Sequence, residues 1–111
     1  MARIDFIELP ARDITASRAF YAAVFGFEMT AFGPSYACTL SGDVDLGLQG
    51  DTTEATVAPL PVVHVDDLAA ALAAVTAAGG AITKPTFSFP GGRRFHFRDP
   101  HGNELAAMQG D

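Results

Sequence analysis

Phe95-His96-Phe97-Arg98-Asp99-Pro100-His101-Gly102-Asn103-Glu104-Leu105 is the stretch whose reading decides the fold. Phe95 and Phe97 alternate with Arg94, His96 and Arg98, the period of two expected of a half-buried strand. Asp99 can accept hydrogen bonds from a turn backbone, Pro100 presets φ, and Gly102 or Asn103 tolerates the left-handed region. Beyond this turn Glu104, Ala106 and Met108 share one face, and Leu105 and Ala107 share the other. The segment therefore reads as strand, tight turn, strand. The orientation follows from desolvation: Phe95 and Phe97 should meet a helix, leaving Arg94 and His96 on the opposite face. The reverse would press Arg94, His96 and Arg98 against the helix, at about 1–3 kcal/mol for each unsatisfied group.

The rest of the chain repeats one pattern. Residues 4–10 alternate as a strand, and a helix follows over 14–25, with Asp13 or Thr15 as N-cap and Gly26 past its end. Ile14, Phe20 or Tyr21, Val24 and Phe25 supply its apolar stripe, and the aromatics Phe20, Tyr21 and Phe25 are expected in the core. Strands are predicted at 27–32, 35–41 and 44–49, separated by Gly33-Pro34 and Ser41-Gly42-Asp43. A Thr-rich polar segment over 51–59 reads as a linker. Then come a β-branched strand at 60–65, a helix at 68–78 capped by Asp66 or Asp67 and ended by Gly79-Gly80, and strands at 81–89, 93–98 and 103–109. At an offset of 54, Asp13 matches Asp67, Ile14 matches Leu68 and Gly26 matches Gly80. This is an internal repeat of a βαβββ unit. One such unit leaves a sheet face uncovered, so the expected fold is α+β: two βαβββ modules forming a cupped eight-stranded mixed sheet with a cavity on its concave side. The whole chain, 1–111, is read as one domain, with module one over about 3–50, the linker at 51–59 and module two over 60–109.

Composition narrows the function. The chain of 111 residues is 49% hydrophobic and 18% charged, the balance of a globular protein and not of a disordered one. A net charge of −6 argues against nucleic acid, whose phosphates need a basic footprint, and Arg93, Arg94 and Arg98 are too few to supply one. No apolar run approaches the roughly 18 residues of a membrane span, and no basic-then-apolar leader opens the sequence, so a cytoplasmic protein is expected. The single cysteine, Cys38, cannot form an internal disulfide and reads as an inert buried thiol.

Two motifs carry a resemblance. Phe97-x-Asp99-Pro100-x-Gly102-Asn103 stands near the C-terminus, and Asp13-Ile14 leads into Ala19-Phe20-Tyr21 and Val24-Phe25-Gly26-Phe27. Together they resemble the vicinal oxygen chelate superfamily, which holds glyoxalase I, bleomycin-resistance proteins, fosfomycin-resistance enzymes and extradiol dioxygenases. The resemblance implies the paired-module architecture and a ligand in its cavity. In metal-dependent relatives the first and last strands of each module supply His, Gln or Glu ligands. Carried over by position, these fall here on Phe6, Leu60, Ala106 and either Leu46 or Gly47, none of which can bind a metal. No metal and no cofactor are therefore expected. Strand periodicity puts Glu8 on the face of Phe6, His64 and Val62 on that of Leu60, and Glu104 on that of Ala106. In the fosfomycin-resistance relatives, the residues three and five before the turn Asp point at the ligand; here they are His96 and Arg94. The expected ligand-binding set is Glu8, His64, Arg94, His96 and Glu104, over a pocket lining of Phe6, Leu60, Val62 and Ala106.

The function these features favour is a small-molecule-binding protein, a homodimer without the usual metal, that sequesters a drug or metabolite as bleomycin-resistance proteins do. The alternative is a glyoxalase- or dioxygenase-like enzyme with a displaced divalent-metal site built from Glu8, His64, His96 and Glu104, a chemically sufficient donor set. A third reading is an enzyme without metal, using His96 and Glu104 as an acid–base pair, or a scaffold with no small ligand. His64 also reads as a half-exposed histidine without a role, and His101 as an exposed turn residue.

Overall fold

The computed structural model describes residues 2–111. In chain order the elements are β1 (Arg3–Pro10), α1 (Ile14–Phe25), β2 (Thr30–Ala31), β3 (Tyr36–Cys38), β4 (Asp45–Gln49), β5 (Leu60–His64), α2 (Leu68–Ala77), β6 (Ala81–Phe89), β7 (Gly92–Arg98) and β8 (Glu104–Gly110). The order is βαβββ twice over, an α+β fold. The chain divides into two compact units, Phe6–Leu60 on the one hand and the chain up to Asp5 with Pro61–Asp111 on the other. The boundaries fall inside β1 and, at Leu60 and Pro61 in β5, just past the segment 51–59.

In the first unit the strands run in the order β2-β3-β4-β1, with β1 parallel to β4 and the other pairs antiparallel. Asp13 is the N-cap of α1, its Oδ1 accepting from Ala16 N at 3.1 Å. Gly26 ends the helix in the left-handed region, with φ 71. Ala37 and Leu48 are buried on the α1 side of the sheet. The aromatics of α1 depart from expectation: Phe20 is 58% and Phe25 63% exposed. The half-buried positions are Ile14, Ser17, Arg18 and Tyr21, the spacing of a single helix face. Phe20 lies round from that face, and Val24 and Phe25, which continue it, sit in the last turn.

β2 is also shorter than predicted. Phe27 donates its N–H back to Tyr21 O at 3.3 Å, and Arg18 Nη2 donates to Met29 O at 2.8 Å. Residues 27–29 thus bond to the helix they leave and have no strand partner until Thr30. β3 stops at Cys38 because the following loop is organised around Asp45, whose Oδ1 accepts from Thr39 Oγ1 at 2.8 Å and Gly42 N at 2.9 Å.

In the second unit the order is β5-β8-β7-β6, with β5 parallel to β8 and the rest antiparallel. Asp67, not Asp66, caps α2 by accepting from Ala70 N at 3.0 Å. Gln109 Oε1 accepts a second free helix N–H, that of Leu68, at 2.8 Å. Leu68, Phe95 and Ala107 form the buried core, with Ala71, Leu72, Val75 and Phe97 packed against it. Small alanines let α2 sit close to the sheet, and Phe95, fully buried, fills the space between. The turn after β7 has the expected chemistry: Asp99 Oδ1 accepts from His101 N at 2.9 Å and Asn103 N at 3.0 Å, and Gly102 takes φ 84.

Candidate functional site

With Phe95 and Phe97 turned to α2, the even-numbered residues of β7 project from the opposite face. Register fixes their neighbours: His96 pairs with Ala106 and Lys84, and Arg94 with Met108 and Phe87. Val62 joins the same face by pairing with Ala106, and His64 by pairing with Met108.

His96 is the centre of this face. It is only 2% exposed. Its Nδ1 lies 3.2 Å from Glu104 Oε2, and that oxygen also accepts from Thr83 Oγ1 at 3.0 Å. A carboxylate only accepts, so the ring nitrogen facing it carries the proton. The other nitrogen, Nε2, is buried without a hydrogen-bond partner among the described residues. Burial and then the Arg94 guanidinium hold the imidazole pKa below its usual 6.5, against the smaller opposing pull of Glu104. The ring is therefore neutral near neutral pH and presents a bare lone pair.

Cations and aromatic rings lie beside it. Lys84 Nζ is 4.6 Å from the centroid of Phe87, and the Arg94 guanidinium is 5.4 Å from Phe87 and 5.6 Å from Phe89. The Phe87 ring lies 5.9 Å from that of His96. Sequence periodicity missed Thr83, Lys84, Phe87 and Phe89. Between Ile82 and Lys84, and again between Lys84 and Phe87, β6 carries one residue more than β7 opposite it. These β-bulges bring Thr83 and Lys84 to one face although they are adjacent in sequence. Pro85 and Lys84 within an edge strand were the available signal, since both mark irregular or guarded edges.

The remaining expected residues are engaged elsewhere. His64 is half-buried, and its Nδ1 lies 2.9 Å from Asp5 Oδ2, which also meets Arg3 at 3.5 Å. In the first unit Glu8 is 1% exposed and accepts from Tyr36 Oη at 2.9 Å. Glu8 pairs with Gly47, and a side chain at Gly47 would begin 2.5 Å from Phe6 Cζ and 2.6 Å from Tyr36 Oη. The Phe6 ring thus fills the space over Gly47. Leu60 and Ala106 are fully buried. Phe6, Gly47, Leu60 and Ala106 offer no donor, so the residues at the superfamily's metal positions do not fit a metal ion. Among the described residues no three His, Cys, Asp or Glu side chains are grouped as metal ligands. His101 is exposed and Cys38 is buried, where desolvation and then Asp45 push the thiol pKa up.

A separate depression of ≈ 240 Å³ lies in the first unit among Phe27, Thr39, Ser41, Val44 and Leu46. The Thr39 hydroxyl there already donates to Asp45 and accepts from Leu46 N. No buried polar atom without a partner lies in it among the described residues.

Comparison with known proteins completes the assignment. The fold matches that of a hypothetical protein from Bacillus halodurans C-125, at TM-score 0.80 and 11% identity over 99% of this chain and 95% of that one. It also matches Streptomyces coelicolor methylmalonyl-CoA epimerase in complex with 2-nitronate-propionyl-CoA, at TM-score 0.75 and 21% identity over 97% and 96%. A glyoxalase/bleomycin resistance protein/dioxygenase superfamily member from Vibrio splendidus 12B01 aligns over the whole of both chains, at TM-score 0.72 and 21% identity. No curated protein matches the sequence. No helix among the described residues is long and apolar enough to cross a membrane. The family model for the Glyoxalase/Bleomycin resistance protein/Dioxygenase superfamily spans residues 3–107, and the chain belongs to that superfamily.

Proposed function

We propose that the protein binds a small molecule on the face that carries Arg94, His96 and Glu104, without the metal centre of metal-dependent superfamily members, and sequesters it as a homodimer. The observation that carries this reading is His96 Nε2, a buried polar atom without a partner among the described residues. Such an atom costs about 1–3 kcal/mol, a penalty that binding a polar ligand removes. The surrounding rings and cations supply the mixture of apolar surface and a few polar groups that small-molecule sites use. Arg94 suits an oxygen-rich or acidic group on the ligand.

The test is a titration of isotope-labelled protein with a panel of small carboxylates and acyl-CoA esters, the latter suggested by the epimerase complex above. Amide signals of β6–β8 should shift, and Arg94→Ala should weaken binding by about tenfold or more while the fold persists. No shift on β6–β8 with any of the panel overturns the reading. The rival, an enzyme with a displaced metal, has only the His96–Glu104 pair in its favour. About one bound divalent ion per chain, lost in His96→Ala, would favour it. The exposed aromatics Phe20, Phe25 and Phe27 support self-association, to be read by light scattering.

A further inference from the structure

We infer that His96 Nε2 is a dedicated hydrogen-bond acceptor, so that the occupant presents one O–H or N–H donor to it beside the oxygen-rich group that suits Arg94. This inference rests on the proposed binding face and specifies what that face discriminates.

Three observations lead there. Glu104 Oε2 is held from two sides, by the Thr83 hydroxyl at 3.0 Å and by His96 Nδ1 at 3.2 Å. The carboxylate fixes the ring's tautomer and orientation, and Thr83 fixes the carboxylate. The opposite nitrogen is buried and has no partner among the described residues. The Phe87 ring lies 5.9 Å from that of His96, and Val62, Ala106 and Met108 share its sheet face, apolar surface of the kind on which a ring packs. The groups that face the imidazole are Arg94 from β7, Lys84 from β6 and Glu104 from β8. Two of the three are cations, and they keep Nε2 an acceptor by disfavouring a second ring proton. A site of this kind rejects an analogue that lacks the donor, because the lone pair is then left buried and unmet. Glu104 and Thr83 are positioning residues; of these three, His96 meets the ligand.

Two measurements test this. The first needs no ligand: side-chain ¹⁵N spectra at about pH 8 should show His96 protonated at Nδ1 and bare at Nε2. Glu104→Gln should mix the tautomers, because an amide can donate as well as accept. A wild-type ring protonated at Nε2 overturns the inference. The second uses phenol and anisole, which differ in the donor. Phenol should bind at β6–β8 about tenfold or more tightly than anisole, and the difference should vanish in His96→Phe, whose amide spectrum checks the fold. Equal binding of the pair overturns the inference while the binding face stands. Binding of neither, with the carboxylate and CoA-ester panel still shifting β6–β8, does the same. Failure of every probe removes both.

Discussion

The two modules share an order of elements and differ in what they do with the sheet face turned from their helix. In module two that face is polar at its centre: a buried histidine oriented by a carboxylate, with cations laid on phenylalanine rings. In module one the equivalent area is closed by Phe6 lying over Gly47, with Glu8 tied to Tyr36. The outer strands differ as much. β2 has 2 residues, whereas β6 has 9 and two bulges. The helices differ too: α2 buries Leu68 against Phe95, while α1 has no fully buried residue and leaves Phe20 and Phe25 outside. A duplicated fold here carries its candidate chemistry in one copy, and the long, bulged edge strand is what furnishes it.

This comparison breaks most readily at the phenylalanines. Phe95→Ala removes the largest fully buried side chain and should cost about 3–5 kcal/mol in denaturant unfolding. Phe20→Ala, on the exposed side of α1, should change stability by no more than about 0.5 kcal/mol. Equal losses would mean that α1 is seated as α2 is. Next in size is Gly47→Ala. Its Cβ would meet the Phe6 ring and the Tyr36 hydroxyl, an overpacking expected to cost about 1–3 kcal/mol. An unaltered unfolding midpoint would show that Phe6 swings away freely and that the face of module one is not closed.

The smallest effect is a pH slope. Burial and Arg94 hold His96 below its usual pKa while Glu104 partly opposes them. The unfolded chain titrates near about 6.5, so below that value it binds a proton that the folded ring refuses. The contribution of neutral His96 to stability is complete above about pH 6.5 and is lost as pH falls toward the depressed folded value. Unfolding free energies measured across this window should show the loss in wild type and lack it in His96→Gln. An identical slope in the two proteins would contradict the assigned environment.

How much of this was legible beforehand depends on the range of the interaction. Asp13 and Asp67 cap their helices through bonds to residues three positions on, and Asp99 builds its turn from His101 and Asn103. Such features are written in adjacent residues, so local chemistry suffices to read them. The alternation of Phe95 and Phe97 with Arg94 and His96 is equally local, and it assigned the faces of β7. His96 and Glu104 lie diagonally across the hairpin turned by Asp99, His96 opposite Ala106 and Glu104 opposite Arg98, and their nearness was legible from the turn and the face the two strands share.

Other features needed tertiary structure. Helical periodicity offered α1 more than one apolar stripe, and only packing on β3 and β4 chose the face of Ile14, Ser17, Arg18 and Tyr21 over that of Phe20. His64 carries no sign of Asp5 in its neighbourhood, since 59 residues separate them. The sequence by itself determined the repeat, the capped helices, the tight turn and the face on which His96 stands. Tertiary structure alone decided that Lys84 and Phe87 stand beside that histidine, Thr83 on its carboxylate partner and Phe89 against Arg94. A strand's period of two holds only while each residue has one partner, and the two bulges of β6 break that count at positions set by pairing with β7.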